Sequence, residues 1–93
     1  AKAPATPANL KVQRHTDQRD ATITWEAVPN AVGYNILWGI APNKLYQTYQ
    51  VWADAGTKLE LRALNVGVDY YYAIEAFDEN GVSPLSKVVS ETK

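Results

Sequence analysis

The chain contains no cysteine and only one histidine. Without cysteine there is no disulfide framework, no thiolate nucleophile and no cysteine-based zinc site. Nothing approaches the ~18 consecutive apolar residues of a membrane span, and the first residues do not read as a signal peptide, so membrane insertion is not expected. Charge of one sign is missing too. Nine Lys and Arg stand against ten Asp and Glu, a formal net charge of −1. No basic block is available to hold nucleic acid or an anionic lipid surface. No stretch carries a helical i, i+3, i+4, i+7 stripe over three turns. What remains, at 93 residues with 46% hydrophobic and 20% charged, is one globular domain. A chain of that length buries roughly 60–65% of the surface it exposes when unfolded.

The first eight residues, Ala1-Lys2-Ala3-Pro4-Ala5-Thr6-Pro7-Ala8, are small and include two prolines. That composition favours a semi-stiff extended segment. Residues 1–7 are expected to be an interdomain linker and 8–91 the folded domain, with the chain a piece of something longer. From Asn9 onward the hydrophobic period is two. Leu10 and Val12 alternate with Lys11 and Gln13; Ala21, Ile23 and Trp25 with Thr22 and Thr24; Tyr34, Ile36 and Trp38 share a face; Tyr70, Tyr72, Ile74 and Ala76 form the longest row. Such rows of aromatic and β-branched residues read as half-buried strands. Turn residues separate them at Val28-Pro29-Asn30, Ala41-Pro42-Asn43, Asp54-Ala55-Gly56 and Asn80-Gly81, and Asn-Gly is a strong hairpin signal. Seven strands are expected, over 9–13, 21–25, 33–38, 46–51, 58–62, 69–77 and 84–90. The fold class is all-β, a seven-stranded antiparallel sandwich or barrel.

Residues capable of chemistry do not gather. His15 lies in the polar run Arg14-His15-Thr16-Asp17-Gln18-Arg19-Asp20, expected to be a solvated loop. Asp17 and Asp20 are close to it in sequence, but no second nitrogen ligand follows at a metal-binding spacing. Asp78-Glu79 are adjacent in a turn, whereas a glycosidase pair faces across ~5–9 Å of cleft. Neither a Gly-x-Ser-x-Gly elbow nor a phosphate-cradling glycine loop occurs. No catalytic residue, no metal ligand and no cofactor is assigned, and the domain is expected not to be an enzyme.

Three features together resemble a fibronectin type III domain, the seven-stranded immunoglobulin-like sandwich. They are Pro7-Ala8-Asn9-Leu10-Lys11-Val12 leading into the first strand, Ile23-Thr24-Trp25 followed by Gly33-Tyr34-Asn35-Ile36, and Leu64-Asn65-Val66-Gly67-Val68-Asp69-Tyr70 followed by Tyr72, Ile74 and Ala76. The last is similar to the tyrosine corner of β-sandwiches, in which the Tyr70 hydroxyl reaches back to the preceding connection. Ser83-Pro84-Leu85-Ser86 suits the family's last strand. Val66 departs from the pattern, standing where the family often has proline. The resemblance implies structural roles for Trp25, Tyr34, Ile36, Leu64, Tyr70 and Tyr72. The loop over 78–84 contains no arginine, so the integrin-binding Arg-Gly-Asp of some animal members has no counterpart.

The segment from Ala31 to Tyr46, with Ala76-Phe77-Asp78-Glu79-Asn80-Gly81, is similar to type III modules of bacterial glycoside hydrolases, most nearly those accompanying family 43-type xylosidase or arabinofuranosidase domains. That similarity implies a secreted, periplasmic or cell-surface parent. It also implies a neighbouring catalytic domain in the same chain and a plant-type polysaccharide as partners. Three Trp and six Tyr exceed what the core rows use. Tyr46, Tyr49, Trp52 and Tyr71, with Phe77, are left to pack a second sheet, to meet a neighbouring domain or to stack on sugar rings. Tyr46 and Tyr49 have opposite parity, so a regular strand cannot turn both inward. A spacer or docking module is the favoured reading. A carbohydrate-binding module and a cell-surface adhesion or protein-binding module are the alternatives.

Overall fold

Strict alternation sorts the side chains of each strand onto two faces, and the apolar faces meet. The computed structural model describes residues 4–62 and 64–91. Its strands are β1 (Lys11–Arg14), β2 (Ala21–Thr24), β3 (Gly33–Gly39), β4 (Gln47–Trp52), β5 (Lys58–Leu61), β6 (Tyr71–Asp78), β7 (Gly81–Val82) and β8 (Val89–Ser90), with one 3-10 turn at Ala53–Ala55. One sheet has the order β1-β2-β5. The other has the order β4-β3-β6-β7, with β8 also paired to β6. All pairings are antiparallel. The fold is an all-β sandwich of two antiparallel sheets.

Val12, Ala21, Ile23, Trp25 and Leu61 fill the interior from the smaller sheet, and Tyr34, Ile36, Trp38, Val51, Tyr72, Ile74 and Ala76 from the larger. Trp25 and Tyr34 meet edge to face across the sandwich, ring centroids 5.4 Å apart. That geometry sets the positive ring edge against the negative face.

The structure departs from the sequence-based expectations at three places. Of the seventh strand, expected over 84–90, only Val89–Ser90 forms as β8, and the two-residue β7 lies before that range. Pro84 has no N–H to give the ladder. Serine hydroxyls take over instead: Ser83 Oγ accepts the Ala76 N–H and Ser86 Oγ the Ile74 N–H, each at 2.9 Å. The hairpin sits one residue earlier than Asn80-Gly81 suggests. Asp78 pairs with Gly81, so Glu79 and Asn80 form the loop and Gly81 takes a φ of 141°. The Asp78 carboxylate accepts the Asn80 N–H at 2.7 Å and tightens that turn. Arg14, expected in a solvated loop, is the last residue of β1 and is buried. Of the segment 1–7, expected to be a linker, Ala1, Lys2 and Ala3 lie outside the described residues, and Pro4 and Pro7 are buried. Thr6 Oγ1 donates to the Pro84 carbonyl at 2.9 Å. From Pro4 on the segment lies along the sandwich, because proline brings no N–H that needs a partner there.

Candidate functional site

The register of the larger sheet decides which aromatics share a surface. Trp52 is opposite Gly33, and Gly33 is opposite Phe77, so these residues stand in one row on the outward face. Gly33 leaves the space that the Phe77 ring occupies: a Cβ there would lie 2.5 Å from Phe77 Cζ. Across this glycine Trp52 and Phe77 meet edge to face, centroids 5.9 Å apart and planes at 73°. Val82, opposite Phe77, extends the row. Trp52 is 53% and Val82 52% exposed, so the patch faces solvent.

The remaining candidates fall elsewhere. Tyr71 lies on the same outward face but opposite Gly39, six residues along β3 from Gly33, about 20 Å at the ~3.3 Å rise of a strand. Tyr49 is opposite Ile36, whose side chain is in the core. It therefore takes the inward parity at the rim of the sheet and remains half-exposed. Tyr46 precedes β4 and is 82% exposed. The structure thus brings Trp52 together with Phe77 and does not gather Tyr46, Tyr49, Trp52 and Tyr71 into one platform.

The six structural candidates, Trp25, Tyr34, Ile36, Leu64, Tyr70 and Tyr72, are all buried. Tyr70 Oη accepts the Asn65 N–H at 3.1 Å, and Tyr34 Oη accepts the Val28 N–H at 2.9 Å. Sequence reasoning missed the charged pair beside them. Arg14 Nη1 and Glu91 Oε2 are 2.6 Å apart, with both side chains about 2% exposed. The guanidinium also donates to the carbonyls of Gln18, Asn65 and Val68 at 2.7, 2.8 and 3.0 Å, and lies 5.4 Å from the centroid of the Tyr70 ring. Glu91 Oε2 accepts the Tyr72 hydroxyl at 2.7 Å. Burial pushes the Tyr72 phenol well above its usual range, and the hydrogen bond to Glu91 adds to the rise. A buried ion pair resists only when its other polar valences are filled, and here carbonyls and a phenol fill them.

The polar run after β1 is bonded within itself and to β2, β5 and the 64–70 connection. Both Asp17 oxygens accept from Arg19, which holds this carboxyl down to about 2. His15 Nε2 is 2.7 Å from Thr22 Oγ1 and 3.5 Å from Glu60. The Thr22 hydroxyl, and after it Lys58, lowers the Glu60 carboxyl. Among the described residues no group of three His, Cys, Asp or Glu converges to hold a metal. An open hollow of about 450 Å³ over Leu10, Lys11, Val12, Thr22 and Thr24 presents no carboxylate or imidazole. None of these arrangements supplies an acid, a base and a substrate cleft together.

The fibronectin type III domain model matches residues 5–92. No curated protein matches the chain. Among solved structures it is similar to a Fn3-like protein from Clostridium thermocellum, with 24% identity, TM-score 0.84, and 98% of this chain and 94% of that one covered. It is also similar to the FN1-FN3 domains of chicken CNTN1, with 24% identity and TM-score 0.81 over 95% of this chain and 30% of that one. The sixth fibronectin type III domain of human fibronectin type III domain containing protein 3 matches at 20% identity and TM-score 0.77, covering 100% of this chain and 92% of that one. Two antiparallel sheets, a buried Trp25–Tyr34 pair and a Tyr70 hydroxyl closing the 64–70 connection agree with that match. This chain belongs to the fibronectin type III family, as a non-catalytic β-sandwich module.

Proposed function

We propose that this module is a spacer and docking domain of a larger, secreted bacterial protein, seated beside a glycoside hydrolase catalytic domain that acts on plant-type polysaccharide. The observation that carries the docking role is the outward row Trp52, Gly33, Phe77 and Val82. Large apolar side chains held at a solvent face by strand register gain free energy when a neighbour covers them. The sequence similarity to accessory modules supports the choice of neighbour. The geometry favours protein over sugar. A sugar platform presents ring faces in one plane, whereas Trp52 and Phe77 stand at 73° to each other.

Amide resonances of this chain would be followed while two ligands are added in turn. The expected result with the catalytic domain that neighbours it in the parent is movement at Trp52, Phe77 and Val82. With xylan and arabinan oligosaccharides at millimolar concentration, no movement is expected. Movement at Tyr49 or Trp52 with sugar, and none with the catalytic domain, would replace docking with carbohydrate binding.

A further inference from the structure

The sandwich has four strand edges, and three of them are defended against pairing with another chain. β1 carries Lys11 and Arg14 and β5 carries Lys58 and Glu60, each in four residues. The β7–β8 edge is interrupted at Pro84 and has its ladder completed by Ser83 and Ser86. Short strands, charges and proline are the usual means of blunting an edge. β4 has none of them. It is Gln47-Thr48-Tyr49-Gln50-Val51-Trp52, six residues without charge, proline or glycine, at the end of the larger sheet.

Which of its backbone groups point outward follows from alternation. Ile74 and Ala76 direct N–H and C=O at Ser86 and Ser83, away from β3. The odd residues of β6 therefore bond to β3, the even residues of β3 to β4, and the odd residues of β4 to β3. The amides of Thr48, Gln50 and Trp52 and the carbonyls of Thr48 and Gln50 are thus turned to solvent along the edge.

We propose that β4 pairs with β4 of a second copy of this chain, antiparallel about a two-fold axis through Gln50, joining two sandwiches through one continuous sheet. A second copy offers no other long, uncharged edge, so the pairing is strand to same strand and closes as a dimer rather than growing into a fibre. Around Gln50 the register stays inside β4. The two Gln50 residues exchange their N–H···O bonds, and each Trp52 N–H meets the other copy's Thr48 carbonyl. Tyr49 faces Val51 of the second copy in the closer, non-hydrogen-bonded position. An aromatic against a β-branched side chain is a favourable cross-strand pair. With no charge on the strand, no like charges meet at the axis. This contact uses the rim of the sheet and does not depend on the docking role of the Trp52–Phe77 face.

Sedimentation equilibrium of the full chain from micromolar to millimolar concentration is the test, with hydrogen exchange followed at Thr48, Gln50 and Trp52. The expected mass rises toward twice the monomer, and exchange at those three amides slows with it. Gln50→Lys sets like charges opposite each other on an exposed site and is expected to weaken the dimer at least tenfold, with the thermal midpoint of the monomer unchanged. Because the chain has no cysteine, Gln50→Cys reports the register cleanly. The paired Cα atoms would lie about 5.5 Å apart, within disulfide reach, so it is expected to oxidise to a dimer faster than a Lys11→Cys control. A chain that stays monomeric throughout overturns the proposal and leaves the edge to an extended segment of a different protein. A dimer indifferent to Gln50→Lys, or cross-linked equally fast at Lys11→Cys, overturns it in favour of face-to-face packing.

Discussion

The two ends of the sandwich are held by different physics. At one end Arg14, on the smaller sheet, reaches Glu91 beyond the last strand of the larger sheet, with Tyr70 and Tyr72 in the same network. At the other end Trp25 meets Tyr34 and Trp52 meets Phe77, ring to ring, and no salt bridge joins these four. The first end is directional: each group completes the valence of another, and one deletion strands a buried charge. The second depends on area and shape, which repacking can partly restore. Stability at the charged end should therefore be brittle, and at the aromatic end forgiving.

Glu91→Ala breaks this contrast or confirms it with the largest effect. It leaves the Arg14 guanidinium buried beside Tyr70 without its anion, an expected loss of about 3–5 kcal/mol in urea denaturation. Replacing both partners, as Arg14→Met with Glu91→Leu, should recover only part of that loss, because it removes the unpaired charge but leaves the carbonyls of Gln18, Asn65 and Val68 and the Tyr72 hydroxyl without partners. A cost for Glu91→Ala within a few tenths of a kcal/mol would mean that the pair does not hold the end together.

Gly33→Ala is the matching change at the aromatic end. The new Cβ would lie 2.5 Å from Phe77 Cζ, the mobile tip of a partly exposed ring, and 2.9 Å from the Val51 carbonyl oxygen. An expected cost of about 1–3 kcal/mol follows from overpacking. Phe77→Ala added to it should return part of that cost, leaving the clash with the carbonyl. If the two changes simply add, the ring is not what Gly33 accommodates.

A smaller pair of variants isolates charge as the difference between the ends. Tyr70→Phe and Tyr34→Phe each remove one phenol that accepts a backbone N–H, from Asn65 and Val28 respectively. Each should cost about 1 kcal/mol, the net worth of such a bond. Equal costs place the contrast in the Arg14–Glu91 pair. A much larger cost at Tyr70 would assign part of it to the tyrosine corner itself.

This contrast also marks what could be read in advance. Period-two alternation places Trp25, Tyr34, Ile36 and Tyr72 inward, and the structure has them buried. The same alternation, continued one step past Leu10 and Val12, points Arg14 inward as well. Its charge argued for solvent, and only the fold reveals that Glu91 arrives from 77 residues away to meet it. The shortened last strand was hidden for a related reason. Serine hydroxyls can replace backbone acceptors, but nothing in Ser83-Pro84-Leu85-Ser86 says which amides they will meet. In the candidate site, parity separates Trp52 from Tyr49. The contact of Trp52 with Phe77 needs the registers of two strand pairs, set by turns whose lengths the sequence leaves open.

The mildest test of the charged end is alkaline titration. The Tyr72 phenol is buried and donates to Glu91, both of which raise its pKa in the folded chain. In the unfolded chain it ionises near ~10, the ordinary value for tyrosine. A group whose folded pKa is raised contributes fully below the unfolded value, and that contribution is lost as pH climbs toward the folded one. Above pH ~10 the unfolded chain sheds this proton and the folded chain keeps it, so stability must fall with a slope approaching 1.36 kcal/mol per pH unit for this single site. By pH ~10.5 the accumulated loss is under ~1 kcal/mol. Lysines and other tyrosines titrate in the same range, so the readout is the difference between this chain and Tyr72→Phe. The variant starts less stable, having lost its bond to Glu91, and then declines more gently. Parallel decline of the two would mean that the Tyr72 hydroxyl reaches solvent and that the charged end is more open than its hydrogen bonds imply.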